Sequence, residues 1–129
     1  MAAEKKRYDL IVLGAGAGGM TAATVAALEG LRVLLIEKSE HIGGTTAIAG
    51  GMIWVPQNHL MARAGLPDSR SAAEAYLAAT VPEDSARAAL ATYLDTAPDA
   101  IRYLCEKTEV RLTPVTCYPD YYPDLEGAT

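Results

Sequence analysis

Apolar residues run unbroken from Leu10 to Leu13 in the segment Tyr8-Asp9-Leu10-Ile11-Val12-Leu13, and the run stops at a glycine. A short β-rich block bounded this way predicts a fully buried parallel strand over residues 8–13. Residues 18–29 read as a helix, and the small residues Ala22, Ala23, Ala26 and Ala27 let it lie close on a sheet. Gly30 is a natural stop after its last turn. Residues 31–37, Leu-Arg-Val-Leu-Leu-Ile-Glu, return to a strand pattern. Together the three segments form one βαβ unit, whose crossover is right-handed almost without exception.

Beyond it the pattern changes. Residues 39–56 hold four glycines, Gly43, Gly44, Gly50 and Gly51, among small residues, as expected of a loop, or a loop leading into a short helix. From Asn58 the pattern is helical. Residues 59–64 form a short helix closed by Gly65 and Pro67. Ser71-Ala72-Ala73-Glu74 has capping-box spacing, which predicts a helix from there to about Thr80. A longer apolar series starts at Ser85 and runs through Leu90, Tyr93, Leu94, Ala97, Ile101, Leu104 and Cys105 at three- and four-residue steps. Pro98 lies inside it and should kink the helix or restart it. Residues 110–115 read as a further strand. The expected organisation is an α/β chain: a Rossmann-type βαβ core and glycine loop over 1–57, then a helical segment and tail over 58–129.

The chemistry sits where the first strand ends. Gly14, Gly16 and Gly19 of Gly14-Ala15-Gly16-Ala17-Gly18-Gly19 satisfy the spacing of a dinucleotide fingerprint, between a strand and a helix as that fingerprint requires. Gly14 makes the tight turn, Gly16 lets the backbone approach a pyrophosphate, and Gly19 allows close helix–strand packing. Gly18 adds a further small residue at the helix N-terminus, whose free N–H groups and positive dipole end suit phosphate. Glu37 lies 18 residues beyond Gly19, at the end of the second strand. Its carboxylate should accept hydrogen bonds from the adenosine ribose, with Lys38 beside it, and it disfavours the extra phosphate of NADP. FAD and NAD share this unit. The second glycine-rich segment, Gly43-Gly44-Thr45-Thr46 to Gly50-Gly51, favours FAD, because an isoalloxazine ring extends past the pyrophosphate and needs backbone amides and hydroxyls to hold it.

Composition narrows the setting. The net charge is −5, with 21% charged residues, which speaks against nucleic acid as partner. Lys5-Lys6-Arg7 is a solvated leader. The apolar run after it breaks at Gly14, below the ~7–15 residues of an export core. No stretch approaches the ~18 apolar residues of a membrane-spanning helix. Both observations place the expected protein in the cytoplasm, with no membrane span. Cys105 and Cys117 form no metal-binding or redox spacing, and His41 and His59 stand apart, so no metal site is expected.

The segments GAGAGG, IEK and IGGTTAIAGGMIWVPQN resemble the flavoproteins of the fumarate reductase and succinate dehydrogenase superfamily. Within it, IWVP, RAGLPDS and Pro119-Asp120-Tyr121-Tyr122 look most like 3-ketosteroid Δ1-dehydrogenases. The resemblance implies bound FAD, a flavin that accepts hydride, and the introduction or reduction of a C=C bond next to a carbonyl. The implied substrate is a steroid or other cyclic ketone; a small dicarboxylate is the alternative within the superfamily. By the same resemblance Tyr121 matches a tyrosine of the steroid active site, and Trp54 and Pro56 match the segment beneath the flavin. Thr45 and Thr46 stand where a covalent-flavin histidine would follow the glycine pair, so the FAD is expected to be non-covalent.

Two strands fall short of the roughly five or more of such a sheet. The chain therefore reads as an incomplete domain, the N-terminal part of an oxidoreductase whose remaining chain, or an oligomer partner, is needed for catalysis. The competing reading is a catalytically inactive fragment that holds only a dinucleotide.

Overall fold

The computed structural model describes residues 6–81 and 86–128. The chain forms two compact units, Met1–Ile53 and Trp54–Thr129.

In the first unit, strand β1 (Leu10–Leu13) is followed by helix α1 (Ala17–Leu28) and strand β2 (Val33–Ile36). The strands pair in parallel, in register from Leu10 opposite Val33 to Leu13 opposite Ile36. Both are shorter than the apolar pattern suggests. At their start Asp9 turns to Arg32: its carboxylate accepts the Arg32 N–H at 2.9 Å and lies 3.5 Å from the guanidinium. Helix α1 ends where Gly30 adopts φ 87°. The N–H groups of Gly30 and Leu31 donate to the carbonyls of Ala27 and Ala26, a Schellman closure that only a left-handed residue permits. A turn of 3₁₀ helix, Gly44–Ile48, follows β2.

The expectation of a fully buried strand does not hold. Leu10 and Val12 are half-buried, but Ile11 is 56% and Leu13 78% exposed, and α1 buries none of its residues. Parallel sheets are normally covered on both faces. Here α1 covers one face, and no described residue of this unit forms a second layer.

The second unit is helical. Helix α2 (His59–Ala64) is capped by Asn58, whose Oδ1 accepts the N–H groups of Leu60 and Met61. It closes at Gly65, φ 68°. Helix α3 (Arg70–Thr80) is capped by Ser69 rather than Ser71, two residues before the predicted cap. Ser69 Oγ accepts the Ala72 N–H at 3.1 Å. The expected reciprocal bond from Glu74 is absent because Arg70 takes that carboxylate at 2.7 Å. Arg70 also reaches Asp95 at 2.6 Å, tying α3 to helix α4 (Arg87–Lys107).

Helix α4 continues through Pro98 as one element, so of the two expected outcomes, a kink or a restart, the restart does not occur. Leu94, Ala97 and Ile101 form its buried stripe on both sides of the proline. Packing of such a stripe is the main source of helix stability in proteins and offsets one missing N–H bond. The predicted start at Ser85 lies outside the described residues. The strand expected over 110–115 does not form. Pro114 lacks a donor, and the Arg111 side chain binds the carbonyls of Thr108 and Val110. The tail from residue 116 onward is irregular but docked: Tyr122 N–H donates to the Tyr76 hydroxyl at 3.3 Å.

Candidate functional site

The turn between β1 and α1 is the centre of the first unit. Gly14 has φ 95°, which an L side chain rarely adopts. Its N–H donates to the Ile36 carbonyl at 2.7 Å and so extends the ladder by one rung. A Cβ at Gly19 would lie 1.8 Å from the Gly14 carbonyl oxygen, so the helix can pass the strand end only with glycine there. A Cβ at Gly16 or Gly18 would meet nothing within 4 Å. The positions intended for close packing and for close ligand approach are therefore different in kind. Gly19 faces backbone, and Gly16, the N-cap of α1, faces open space. No side chain caps this helix, so the amides of its first turn keep the free N–H groups that geometry leaves them.

Glu37 sits at the end of β2, partly buried, and is held by backbone. Ala15 N–H donates to Oε2 at 2.7 Å and Ser39 N–H to Oε1 at 2.9 Å. These amides, Ala15 first, hold its carboxyl below the usual carboxylate range. Each oxygen retains a lone pair for a ligand hydroxyl. Lys38 beside it is exposed.

Ala15 is the residue that sequence reasoning missed. It is fully buried, donates to Glu37, and accepts the Gly43 N–H at 2.8 Å. One residue thus joins the strand–helix turn, the Glu37 carboxylate and the second glycine loop. Nothing in its spacing signals this, because it occupies a variable place in the fingerprint.

The second loop comes close to the first. Gly43 and Gly44 have φ 110° and 54°, and a Cβ on Gly44 would stand 3.2 Å from Gly16 Cα. Thr45 and Thr46 lie exposed on the 3₁₀ turn. Gly50 and Gly51 follow it, Gly51 with φ 77°. The structure therefore brings together Gly14, Gly16, Gly19, Glu37, Gly43 and Gly44, with Gly18 one step along the helix. Tyr121 belongs to the helical unit, where its side chain is 87% exposed. Trp54 lies in that unit's aromatic cluster, 5.9 Å from Tyr76 and stacked on Tyr93 at 6.5 Å.

An uncapped helix N-terminus behind a glycine turn, with a backbone-fixed acid at the next strand end, defines a dinucleotide-binding βαβ unit. The free first-turn amides, the open space before Gly16 and the spare lone pairs of Glu37 fit the ADP half of FAD. Residues 9–121 match the FAD binding domain family, and the chain belongs to that family. It is 38% identical over 122 residues to the 3-oxosteroid 1-dehydrogenase of Mycolicibacterium smegmatis, covering 95% of this chain and 21% of that protein. It is 42% identical over 120 residues to the 4-oxocyclohex-2-ene-1-carboxylate 5-dehydrogenase of Sinomonas cyclohexanicum, covering 93% and 20%. Among solved structures, the 3-ketosteroid delta1-dehydrogenase of Sterolibacterium denitrificans, in complex with 1,4-androstadiene-3,17-dione, aligns with a TM-score of 0.81 and 42% identity. That alignment covers 95% of this chain and 21% of the other. The chain thus spans about a fifth of the length of the relatives it matches. No helix among the described residues is long and apolar enough to cross a membrane.

The Glu37 geometry carries a pH dependence. A carboxylate held below its ordinary range stabilises the fold above the unfolded-state pKa, and that contribution is lost as pH falls through the lowered value. Glu37→Gln should weaken FAD binding at neutral pH by about tenfold, the scale of a lost charge-assisted hydrogen bond. The gap from the unaltered chain should close as the medium is acidified below the usual carboxylate range. A flavin titration of both chains across pH checks this; a gap constant with pH would show that the charge plays no part.

Proposed function

We propose that this chain forms the FAD-binding and substrate-facing N-terminal part of an oxidoreductase that introduces or reduces a C=C bond next to a ring carbonyl. The observation that carries the reading is the continuity of the likeness: the relatives that match about 95% of the chain, from the glycine turn to the tail bearing Tyr121, include enzymes named for 3-ketosteroids and for a 4-oxocyclohexene carboxylate. That shared chemistry favours a steroid or smaller cyclic ketone over a dicarboxylate.

In this proposal the amides around Gly14, Gly16, Gly18 and Gly19 bind the pyrophosphate, and Glu37 with Lys38 binds the ribose. Gly43, Gly44, Thr45, Thr46, Gly50 and Gly51 cradle the flavin side, without a covalent link. When bound, FAD supplies the hydride acceptor for the redox step. Tyr121 works on the substrate side, where a tyrosine hydroxyl can hydrogen-bond to a catalytic base and favour its ionised form. Further polypeptide, in the same chain or from a partner, supplies the rest of the site, and the cytoplasm is the proposed compartment.

The test has two stages. The purified chain is mixed with FAD, freed of excess, and read for protein-bound absorbance near ~450 nm, where oxidised flavin absorbs. The oxidoreductase containing it is then offered a 3-ketosteroid, a 4-oxocyclohexanecarboxylate or fumarate, with a redox dye. Ketone-dependent dye chemistry is the expected result. Turnover of the dicarboxylate alone would overturn the substrate class.

A further inference from the structure

Helix α3 holds a buried tyrosine whose hydroxyl reaches away from its own helix. Tyr76 is 7% exposed, and its hydroxyl oxygen accepts the N–H of Tyr122 at 3.3 Å. The tail touches α3 again at Gly127, where φ is 82° and a Cβ would stand 2.0 Å from the Ala72 carbonyl oxygen and 2.9 Å from Tyr76 N. Only glycine can approach helix backbone that closely. The tail thus meets α3 at two places, its backbone between Ala72 and Tyr76 and the tip of the Tyr76 side chain. The ring of Tyr76 has a separate partner in Trp54. Phenylalanine would supply that ring, and the hydroxyl serves the tail.

We propose that Tyr76 is a positioning residue that clamps the tail at the peptide joining Tyr121 to Tyr122 and thereby sets where Tyr121 points. This rests on the substrate-side role proposed for Tyr121. The N–H that Tyr76 holds belongs to a planar unit that includes the Tyr121 Cα and carbonyl, so fixing it fixes the backbone from which the Tyr121 side chain springs. The Tyr121 side chain makes no hydrogen bond of its own among the described residues and is 87% exposed. The Tyr76 hydroxyl holds the adjoining Tyr122 amide and so fixes the Cα–Cβ direction from which that side chain starts.

Hydrogen exchange of the FAD-loaded chain tests the clamp. Tyr76→Phe should speed exchange of the Tyr122 amide by about fivefold, the factor of one net hydrogen bond. Emission of Trp54, the single tryptophan, should stay unchanged because the ring beside it is kept. Gly127→Ala should loosen the same tail with the Tyr76 hydroxyl intact. In the oxidoreductase, Tyr76→Phe should lower kcat while KM and flavin content hold. Unchanged exchange at Tyr122 overturns the clamp. If Tyr121→Phe lowers kcat and Tyr76→Phe does not, the positioning role is overturned. If exchange rises and neither substitution lowers kcat, the clamp stands and the catalytic reading of Tyr121 fails.

Discussion

Gly16→Val should leave the βαβ unit folded and empty of FAD, whereas Gly19→Ala should prevent the unit from forming. The two glycines stand three residues apart in one motif, yet they face different neighbours. At Gly19 the first added carbon would lie 1.8 Å from the Gly14 carbonyl oxygen and 3.0 Å from its carbon. These are backbone atoms of the turn itself and cannot swing aside, so α1 must leave the strand. Overpacking of this kind costs about 1–3 kcal/mol where a core can adjust. Here Ala15 is the one buried apolar residue described in the unit, and little packing remains to absorb the strain. At Gly16 an added carbon meets nothing within 4 Å. A valine there fills the space in front of the first-turn amides, where a pyrophosphate would approach. Circular dichroism melting and the flavin retained after gel filtration separate the outcomes. Full FAD retention by the Gly16→Val chain would remove the glycine turn from the binding site. A Gly19→Ala chain that melts like the parent would show that the close helix–strand contact is not needed.

In the oxidoreductase, Tyr121→Phe should lower turnover by about 10²–10⁴, the usual worth of acid–base assistance, with flavin content and melting temperature nearly unchanged. The Tyr121 side chain is 87% exposed and its hydroxyl bonds to no described residue, so the fold does not depend on the group being deleted. Steady-state kinetics with a ring ketone, beside a thermal melt, reads both halves. Intact turnover in Tyr121→Phe, with a destabilised Tyr121→Ala, would make this tyrosine a packing residue.

The first unit was legible because its signals are local. Three glycines at fixed spacing and an acid 18 residues on specify a turn, a helix start and a strand end before any tertiary contact forms. The joint through Ala15 was not legible. It is made by backbone groups, which every residue carries, and its side chain only has to be small enough to be buried. In the helical unit the errors came from competition between side chains. The Ser71–Glu74 spacing pointed two residues too far along because Arg70 claims Glu74 and Asp95. A proline can kink or restart a helix, and the buried stripe of Leu94, Ala97 and Ile101 holds both sides of Pro98 in one element. The 110–115 segment has strand-like composition but no neighbouring strand among the described residues, and composition cannot supply a partner.

The apolar run of β1 bears on how the chain behaves before it folds. Leu10–Leu13 is a short, strongly β-forming stretch without a charge or proline, the kind that pairs with copies of itself on neighbouring unfolded chains. Asp9 flanks it, and charges so placed act as gatekeepers against such pairing. In the native unit the same carboxylate is engaged by the Arg32 amide and lies beside its guanidinium. One residue thus guards the nascent strand against the wrong partner and then, once β2 arrives, fastens it to the right one.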